Sequence, residues 1–329
     1  MKSHKGILSL DDLDQYKIEY REPVRGTYRG YEIVGVGPVS SGATHIIQAL
    51  NIIEGFNVKE MQFGSVEYIH LIAETLKLVF ADRFKYMGDP DFVKVPVEGL
   101  ISKDYGQHCR KKIDLSRSSD FEHDNAAAFA TESKNTTHIT VADETGSVVS
   151  MTQTLNDAFG SRVTVPGTGV LLNNTMYNFD PHPGTANSIA PGKRVLSSMA
   201  PITVFKSGKP FMSLGTPGAR RIFPSVLQGI INVIDHGMSL QEAVEAPRVW
   251  TQGQNLELEP DISPDVIEPL TQKGHIIEGV ERVAGGMNGI LFDDTGSIHG
   301  AACWRADGSP IAVGGGPAII RGSNPMFRV

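Results

Sequence analysis

The stretch Asn135-Thr136-Thr137-His138-Ile139-Thr140-Val141-Ala142-Asp143 divides this sequence of 329 residues into two parts of different character. Residues 115–134 before it are polar and lack apolar periodicity, whereas short strands and glycine turns are predicted after it. One interpretation of this junction is that the peptide bond before Thr136 is cut. Scission would give Thr136 a free α-amine beside its own hydroxyl, so one residue would carry both base and nucleophile. The alternative is that two β-branched threonines simply begin a strand.

The composition is that of an ordinary globular protein. The chain is 40% hydrophobic and 20% charged, and its formal net charge is −7. This balance argues against a nucleic-acid or membrane partner. Cys109 and Cys303 form neither a disulfide framework nor a zinc-binding spacing. No stretch has the length of a membrane span, and the first residues precede no signal-type apolar core, so the sequence as written predicts a cytoplasmic protein.

The hydrophobic periodicity predicts helices interleaved with hairpins. Helices are expected at 9–20, 42–54, 65–86, 102–112, 222–235 and from 239 to 247. A strand is expected at 28–36, and hairpins at 138–142 with 148–155, 202–205 with 211–214, and 289–292 with 298–302. Antiparallel hairpins with long helices on either side predict an α+β fold in which helices cover the sheets.

The hairpin that begins at Thr136 brings other polar residues to the same end. Thr154 and Asn156 lie where the return strand ends, so they are expected to flank Thr136. Polar residues at strand ends are also common turn formers.

Two further segments are candidates for binding groups. Residues 215–219 follow a strand and precede a helix, where free backbone N–H groups could hold an oxyanion or merely begin the helix. Ser197-Ser198 could bind a carboxylate or end a loop. The loop 37–44 has the spacing of a phosphate loop, but Ala43 replaces the required lysine, so a packing turn is favoured. The histidines have no metal-ligand spacing, and no metal site is predicted.

Taken together, these segments resemble the γ-glutamyltranspeptidase family of N-terminal-nucleophile hydrolases. The matching segments are Thr136-Thr137-His138, Thr154-Leu155-Asn156, Phe159-Gly160, Leu171-Leu172-Asn173-Asn174, Leu196-Ser197-Ser198-Met199 and Pro217-Gly218-Ala219, preceded by Pro38 to Gly42, Phe63-Gly64-Ser65, Ala81-Asp82-Arg83 and Gly88-Asp89-Pro90-Asp91. The short segment 179–194 looks more like the lidless, acylase-like branch of the family.

The resemblance implies one four-layer αββα domain made from two segments. Residues 1–135 would be the C-terminal part of a large-subunit-like segment, which ends in a flexible linker at about 114–135. Residues 136–329 would be the small-subunit-like catalytic segment. Autocleavage is expected between Asn135 and Thr136, with the two fragments remaining associated.

The resemblance also implies roles for individual residues. Thr136 would be the nucleophile with its α-amine as base, Thr154 would orient that amine, and the N–H groups of Gly218 and Ala219 would hold the oxyanion. The implied substrate-binding residues are Asn156, Thr175, Asn178, Ser197 and Ser198. Water or an amino acceptor would release the acyl group, and no metal or organic cofactor is implied.

Two departures from the family pattern bear on the substrate. The chain begins inside the family's large subunit, so the arginine that pairs with the substrate carboxylate would come from a missing N-terminal segment or a separate polypeptide; Arg194, Arg220 and Arg221 are candidate substitutes. A homo-oligomer is a candidate assembly. Thr175 and Asn178 are neutral where an acid usually grips the α-amine, which removes roughly 1.5–3 kcal/mol of recognition. Family members are often periplasmic or secreted.

Three hypotheses follow. The first is an autoprocessing hydrolase of γ-glutamyl or similar acyl amides, with hydrolysis favoured over transpeptidation. The second is a glutaryl- or cephalosporin-acylase-like amidase, whose substrates lack an α-amine. The third is a non-catalytic truncated fragment or subunit.

Overall fold

The computed structural model describes residues 6–121, 135–253 and 255–313, which form helices and antiparallel sheets. The helices are α1 (Leu10–Gln15), α2 (Gly42–Ile53), α3 (Val66–Tyr86), α4 (Val97–Leu100), α5 (Lys103–Arg110), α6 (Ile222–Ile234), α7 (Leu240–Glu245) and α8 (Ile267–Gln272). The strands are β1 (Val24–Tyr28), β2 (Tyr31–Gly35), β3 (Thr136–Ala142), β4 (Val148–Thr154), β5 (Ile202–Lys206), β6 (Lys209–Gly215), β7 (Val249–Trp250), β8 (Leu256–Leu258), β9 (Ile277–Gly279), β10 (Asn288–Phe292) and β11 (Ile298–Ala302).

The central sheet has six strands in the order β1-β2-β5-β6-β10-β11 and is antiparallel throughout. Strands β1 and β2 precede Thr136 in the sequence, whereas the other four follow it. The part of the sheet before Thr136 joins the part after it where β2 pairs with β5, for example at Gly35 and Ile202. Both sides of the predicted cut therefore contribute to one continuous hydrogen-bonded sheet.

Helices α2 and α6 form the main core with this sheet. Every residue of α2 is buried, and α6 is buried from Ile222 to Val233, as expected for helices that are apolar on most sides. Helix α3 packs on α2 and begins at the cap Ser65, whose hydroxyl accepts from the Tyr68 N–H. No described helix is both long and apolar enough to cross a bilayer.

The β3–β4 hairpin lies against the central sheet, in contact with β6 and β10. The ring of His138 occupies the space where a side chain on Gly215 would stand, since a Cβ there would come within 2.3 Å of the ring. Asn288 Nδ2 donates to the His138 carbonyl at 2.7 Å. A glycine on one strand and a buried histidine on another thus fix how the hairpin docks.

The outer face of this hairpin is apolar and exposed. Its exposed side chains are Ile139, Val141, Val149 and Met151, which are between 43% and 62% accessible. The described residues therefore form helix, sheet and hairpin layers, which confirms the α+β class. They leave the outside of the hairpin uncovered.

Most predicted elements agree with the structure within a few residues, but the helix expected at 9–20 ends at Gln15, and the sequence does not predict α4, α8 or β7 to β9. The strand expected at 28–36 is instead the β1–β2 hairpin. Arg29 and Gly30 both have positive φ, 51° and 84°, and so make the two-residue turn that joins twisted strands. The linker expected at about 114–135 lies partly outside the described residues, which omit 122–134. Within its described part, Lys77 of α3 donates hydrogen bonds to the Ser118 hydroxyl and the Ser119 carbonyl.

Candidate active site

Thr136 and Thr154 face each other across the open end of the β3–β4 hairpin, in the predicted register. Thr136 Oγ1 donates to Thr154 Oγ1 at 3.1 Å, and Thr154 Oγ1 donates to the carbonyl of Asn135 at 3.2 Å. The Thr154 hydroxyl also accepts from the backbone N–H of Asn156 at 2.8 Å. One donor and two acceptor sites are all that a hydroxyl has, so Thr154 is fully used and its orientation is fixed.

Asn156 continues this network into the neighbouring loop. It has a positive φ of 75°, a conformation that asparagine tolerates better than most residues. Its Oδ1 accepts from Asn178 Nδ2 at 2.8 Å, and the Asn178 carbonyl accepts from Asn187 Nδ2 at 2.8 Å. A chain of amides therefore links the end of β4 to the segment after it.

A cavity of about 1580 Å³ opens beside Thr136. Eight of the residues predicted for the site line it together: Thr136, Thr154, Asn156, Thr175, Asn178, Ser197, Ser198 and Ala219. Gly218 is not among the lining residues, although Ala219 next to it is. Asn135 lies at a separate, open depression that it shares with Thr136 and Thr154. Residues from five distant parts of the sequence thus converge on one cavity.

The Ser197-Ser198 loop is held by the turn that precedes α2. The hydroxyl and N–H of Ser41 both donate to the Ser197 carbonyl at 2.9 Å, and the Ser40 hydroxyl donates to the Met199 carbonyl at 2.5 Å. The backbone at Gly42 packs closely against the same loop, because a Cβ there would come within 2.4 Å of the Met199 carbonyl oxygen. The loop with phosphate-loop spacing is therefore a packing turn, as predicted, and it positions the two serines.

The turn at Gly218 and Ala219 is a strained connection from β6 to α6. Gly218 has a φ of 139°, and a Cβ there would come within 2.6 Å of the Cα of Ala284. Ala219 has a φ of 51° and begins a short 3₁₀ helix that leads into α6. Only glycine fits the first position, whereas the second forces alanine into the left-handed region, at a cost of about 1–2 kcal/mol.

The wall formed by Thr175 and Asn178 is neutral. The Thr175 hydroxyl and N–H both bond to the Asn173 side chain. The nearest acid in the sequence that lines the cavity is Asp180, whose Oδ1 accepts from the ring and backbone N–H of His182 at 2.9 Å.

Sequence reasoning missed the most deeply buried cation at this cavity. Arg83 is 6% exposed and donates to the hydroxyls of Ser41 and Ser198. Of the arginines proposed from sequence, Arg220 and Arg194 also line the cavity, whereas Arg221 is not among the lining residues and pairs with Glu257. The only sequence signal for Arg83 was its place in the Ala81-Asp82-Arg83 motif.

A second cluster of polar groups lies away from the cavity and has the residue types of a metal site. Ligand atoms of His70, Glu74 and His275 lie within 4.8 Å of one another. These groups are bonded within the protein, since the two rings share a 2.7 Å hydrogen bond and Lys77 Nζ lies 2.5 Å from Glu74 Oε1. The ammonium group of Lys77 opposes a second cation there, so this cluster is best described as a polar network.

Comparison with known proteins shows the family to which this chain belongs. The family model described as Gamma-glutamyltranspeptidase matches residues 1–313. The Acylase ACY 1 proenzyme of Pseudomonas sp. (strain SE83) is 54% identical over 318 residues, 97% of this chain and 56% of that protein. The Glutathione hydrolase proenzyme of Escherichia coli (strain K12) is 38% identical over 317 residues, 92% of this chain and 54% of that protein.

A solved structure supports the same conclusion. The cephalosporin acylase from Bacillus halodurans superposes with a TM-score of 0.84 at 31% identity, over 94% of this chain and 56% of that one. The chain thus spans about half the length of the curated relatives it matches. Since the family model covers nearly all of the described residues, the chain belongs to the γ-glutamyltranspeptidase family.

Proposed function

We propose that the protein is an amide hydrolase that cuts its own Asn135–Thr136 bond and then uses Thr136 as its nucleophile. The observation that carries the proposal is the hydrogen-bond chain from the Thr136 hydroxyl through Thr154 to the Asn135 carbonyl, at 3.1 and 3.2 Å. The potential nucleophile and the carbonyl that it would attack are thus linked to the same residue. The names of both sequence relatives, which describe proenzymes, support a processing step.

In the first step, Thr136 Oγ attacks the carbonyl carbon of Asn135. Thr154 already donates to that carbonyl oxygen, so its hydroxyl is placed to stabilise the negative charge that develops there. The proton released from Thr136 Oγ is transferred to the nitrogen as the C–N bond breaks, which leaves Asn135 as an ester on Thr136 with a free α-amine. Water hydrolyses the ester to give the Asn135 carboxylate and a Thr136 with a free α-amine.

In the second step, the same hydroxyl attacks the carbonyl of an amide substrate. The freed α-amine accepts the hydroxyl proton and passes it to the leaving amine. The Ala219 N–H, at the start of a helical segment beside the cavity, is the candidate oxyanion donor with that of Gly218. Water then releases the acyl group, or an amino acceptor takes it.

The substrate we favour is an acyl amide without an α-amine, as in the acylase hypothesis. Thr175 and Asn178 supply no carboxylate to pair with an ammonium group, and Oδ1 of Asp180, the acid nearest to them in the sequence at this cavity, already accepts from His182. The higher identity to an acylase proenzyme, 54% against 38% for a glutathione hydrolase proenzyme, points the same way. This reverses the order given by sequence alone, and γ-glutamyl amides become the second candidate.

We further infer that another polypeptide segment covers the outer face of the β3–β4 hairpin. Four large apolar side chains are exposed there, and contiguous apolar surface of this kind is typical of an interface. The central sheet already joins strands from both sides of the cut, so the two fragments would remain together after scission.

The test is intact mass after expression, followed by turnover. Processing should yield a fragment that starts at Thr136, which is 194 residues if it runs to Val329. Thr136→Ala should abolish both scission and hydrolysis of glutaryl p-nitroanilide. Thr137→Ala is the matched control, because that exposed neighbour has no role in the proposed chemistry. Full activity from an uncut chain would refute the proposal, and a chain that is neither cut nor active would favour the non-catalytic hypothesis.

A further inference from the structure

The turn that carries the candidate oxyanion donors rests on a second loop, residues 283–287, which we call the support loop. Within it, Ala284 packs against Gly218, since a Cβ on that glycine would come within 2.5 Å of the Ala284 Cβ. The N–H of Gly285 donates to the Pro217 carbonyl at 2.9 Å. A Cβ on Gly285 would come within 2.6 Å of the Pro217 ring. The turn and the support loop therefore pack backbone against backbone, so the position of one fixes the position of the other.

A buried hydroxyl joins the turn to the support loop. Thr216 is 0% exposed, and its Oγ1 lies 3.0 Å from the carbonyl oxygens of both Pro217 and Gly285. A hydroxyl has one proton, which these two carbonyls share. Thr216 is not among the residues that line the cavity. Its side chain therefore acts within the protein, on one carbonyl of the turn and one of the support loop.

The bonds to the Pro217 carbonyl decide where the next N–H points. The Pro217 carbonyl and the Gly218 N–H belong to one planar trans peptide unit, in which C=O and N–H point in opposite directions. Two donors, the Thr216 hydroxyl and the Gly285 N–H, hold that carbonyl. They thereby fix the direction of the Gly218 N–H, which has no acceptor among the described residues. A donor that is held in one direction and has no partner is what an oxyanion hole requires.

The support loop is itself anchored in the core by charged groups. Arg248 Nη1 donates to the carbonyls of Val283 at 3.2 Å and Gly285 at 3.1 Å. The N–H of Val283 donates to Glu259 Oε1 at 2.6 Å. Arg248 and Glu259 are both 2% exposed, so water competes little for these bonds. The support loop is therefore a fixed backing against which the turn is held.

We propose that Thr216 is a positioning residue for acyl transfer, because its hydroxyl holds the Pro217 carbonyl and so directs the Gly218 N–H at the oxyanion. The negative charge on that oxygen develops only in the transition state. Loss of the correct N–H direction should therefore lower kcat and leave KM nearly unchanged. The inference rests on the proposed function, since it takes the turn at Gly218 as an oxyanion donor. It does not concern self-cleavage, in which Thr154 is placed at the developing charge.

The experiment measures hydrolysis of glutaryl p-nitroanilide by the full processed protein. Thr216→Val replaces the hydroxyl with a methyl group of nearly the same size, so it removes the bond without opening a cavity. It should lower kcat by about 10- to 100-fold, less than the loss of a whole donor, because the N–H is misdirected rather than removed. KM should stay within about threefold, and the rate of self-cleavage should not change. Thr216→Ser keeps the hydroxyl and should restore most of kcat.

Two further variants separate positioning from a general loss of stability. Ser213→Ala is the structural control, because this fully buried hydroxyl on the same strand donates to the Ile202 carbonyl and not to the turn. It should lower the urea midpoint and leave kcat within about twofold. Gly285→Ala pushes the support loop against the Pro217 ring and should lower kcat. Adding Thr216→Val to it should cost little more, because both changes act on one carbonyl. Unchanged kcat in Thr216→Val, or an equal loss in Ser213→Ala, would overturn the inference.

A measurement that needs no turnover tests the same contact. Pro-Gly pairs occur four times in the sequence, so protein labelled with ¹³C at proline carbonyls and ¹⁵N at glycine gives only the peptide signals that start at Pro166, Pro183, Pro191 and Pro217. The Pro217 carbonyl carbon should lose part of its hydrogen-bond shift in Thr216→Val and keep it in Thr216→Ser. The same shift in both variants and in the unchanged protein would overturn the inference, whatever the state of processing. The proposed function fails separately, if the unchanged chain neither cuts itself nor forms an acyl-enzyme.

Discussion

The strongest quantitative expectation concerns Thr154 and the rate of self-cleavage. Thr154→Val replaces the hydroxyl with a methyl group of nearly the same size, so it removes hydrogen bonds without opening a cavity. Three bonds are lost: the donor to the Asn135 carbonyl, the acceptor for Thr136 and the acceptor for the Asn156 N–H.

The first of these bonds sets the size of the kinetic effect. Removal of one donor to a developing oxyanion slows a reaction by about 10²- to 10³-fold. The 3.2 Å separation from Asn135 O is long for a hydroxyl donor, so the lower end of that range applies. The unsatisfied N–H of Asn156 should also reduce the stability of the fold by about 1–3 kcal/mol.

The assay is a time course of the uncut chain after rapid purification, followed by intact mass. Thr154→Val should process about 100-fold more slowly than the unchanged chain, and Thr154→Ser should restore most of the rate because the hydroxyl returns. Thr137→Val is the matched control on the same strand, since Thr137 is exposed and its hydroxyl makes no hydrogen bond to the described residues. Processing of Thr154→Val at the normal rate, with the fold intact by urea unfolding, would refute the role given to this hydroxyl.

Three other predictions concern acid stability, a buried ion pair and a tight turn. Burial lowers the pKa of His45 to about 3 and that of His138 to about 4, from 6.5. The unfolded chain therefore takes up protons first as the pH falls, and the folded state should lose stability between about pH 6.5 and 4. The loss should be on the order of 1 kcal/mol per histidine per pH unit, measured from urea unfolding midpoints. Midpoints that do not change with pH would contradict this. Arg305→Met leaves Glu259 buried without its guanidinium partner and should lower the free energy of unfolding by about 3–5 kcal/mol. Adding Glu259→Gln should recover part of that loss. An unchanged melting temperature in Arg305→Met would show that the ion pair does not stabilise the fold. Gly218→Ala places a Cβ 2.6 Å from the Cα of Ala284 at a φ of 139°, so it should lower the melting temperature. It should also slow acyl transfer at least tenfold, because the turn that supplies an oxyanion donor is displaced. Normal kinetics would exclude that turn from the reaction.

Local patterns predicted most of the elements and the central pairing of the site. The four-residue turn at 143–146 fixes the register of the hairpin, which places Thr154 opposite Thr136. Caps at Ser65 and Ser239 predicted two helix starts, because a serine side chain satisfies the free N–H groups there.

The groups that sequence could not predict are those joined over long distances. Arg83 and Ser198 are 115 positions apart, and nothing in the periodicity of either segment indicates that they meet. The paired rings of His70 and His275 are separated by 205 positions. The two hydroxyl partners of Arg83 come from loops that pack against α3, so these contacts become visible only in three dimensions.

The two-stranded hairpin that carries Thr136 has a consequence for control of the reaction. A ribbon of two strands has little stability by itself, so the hydroxyl stays in place because the ribbon is docked through His138 and Asn288. A polypeptide segment that contacts Ile139 and Val149 on the opposite side therefore contacts the same two-stranded hairpin. The segment inferred to cover that outer surface would therefore act on the nucleophile through the thickness of one strand layer, without entering the cavity.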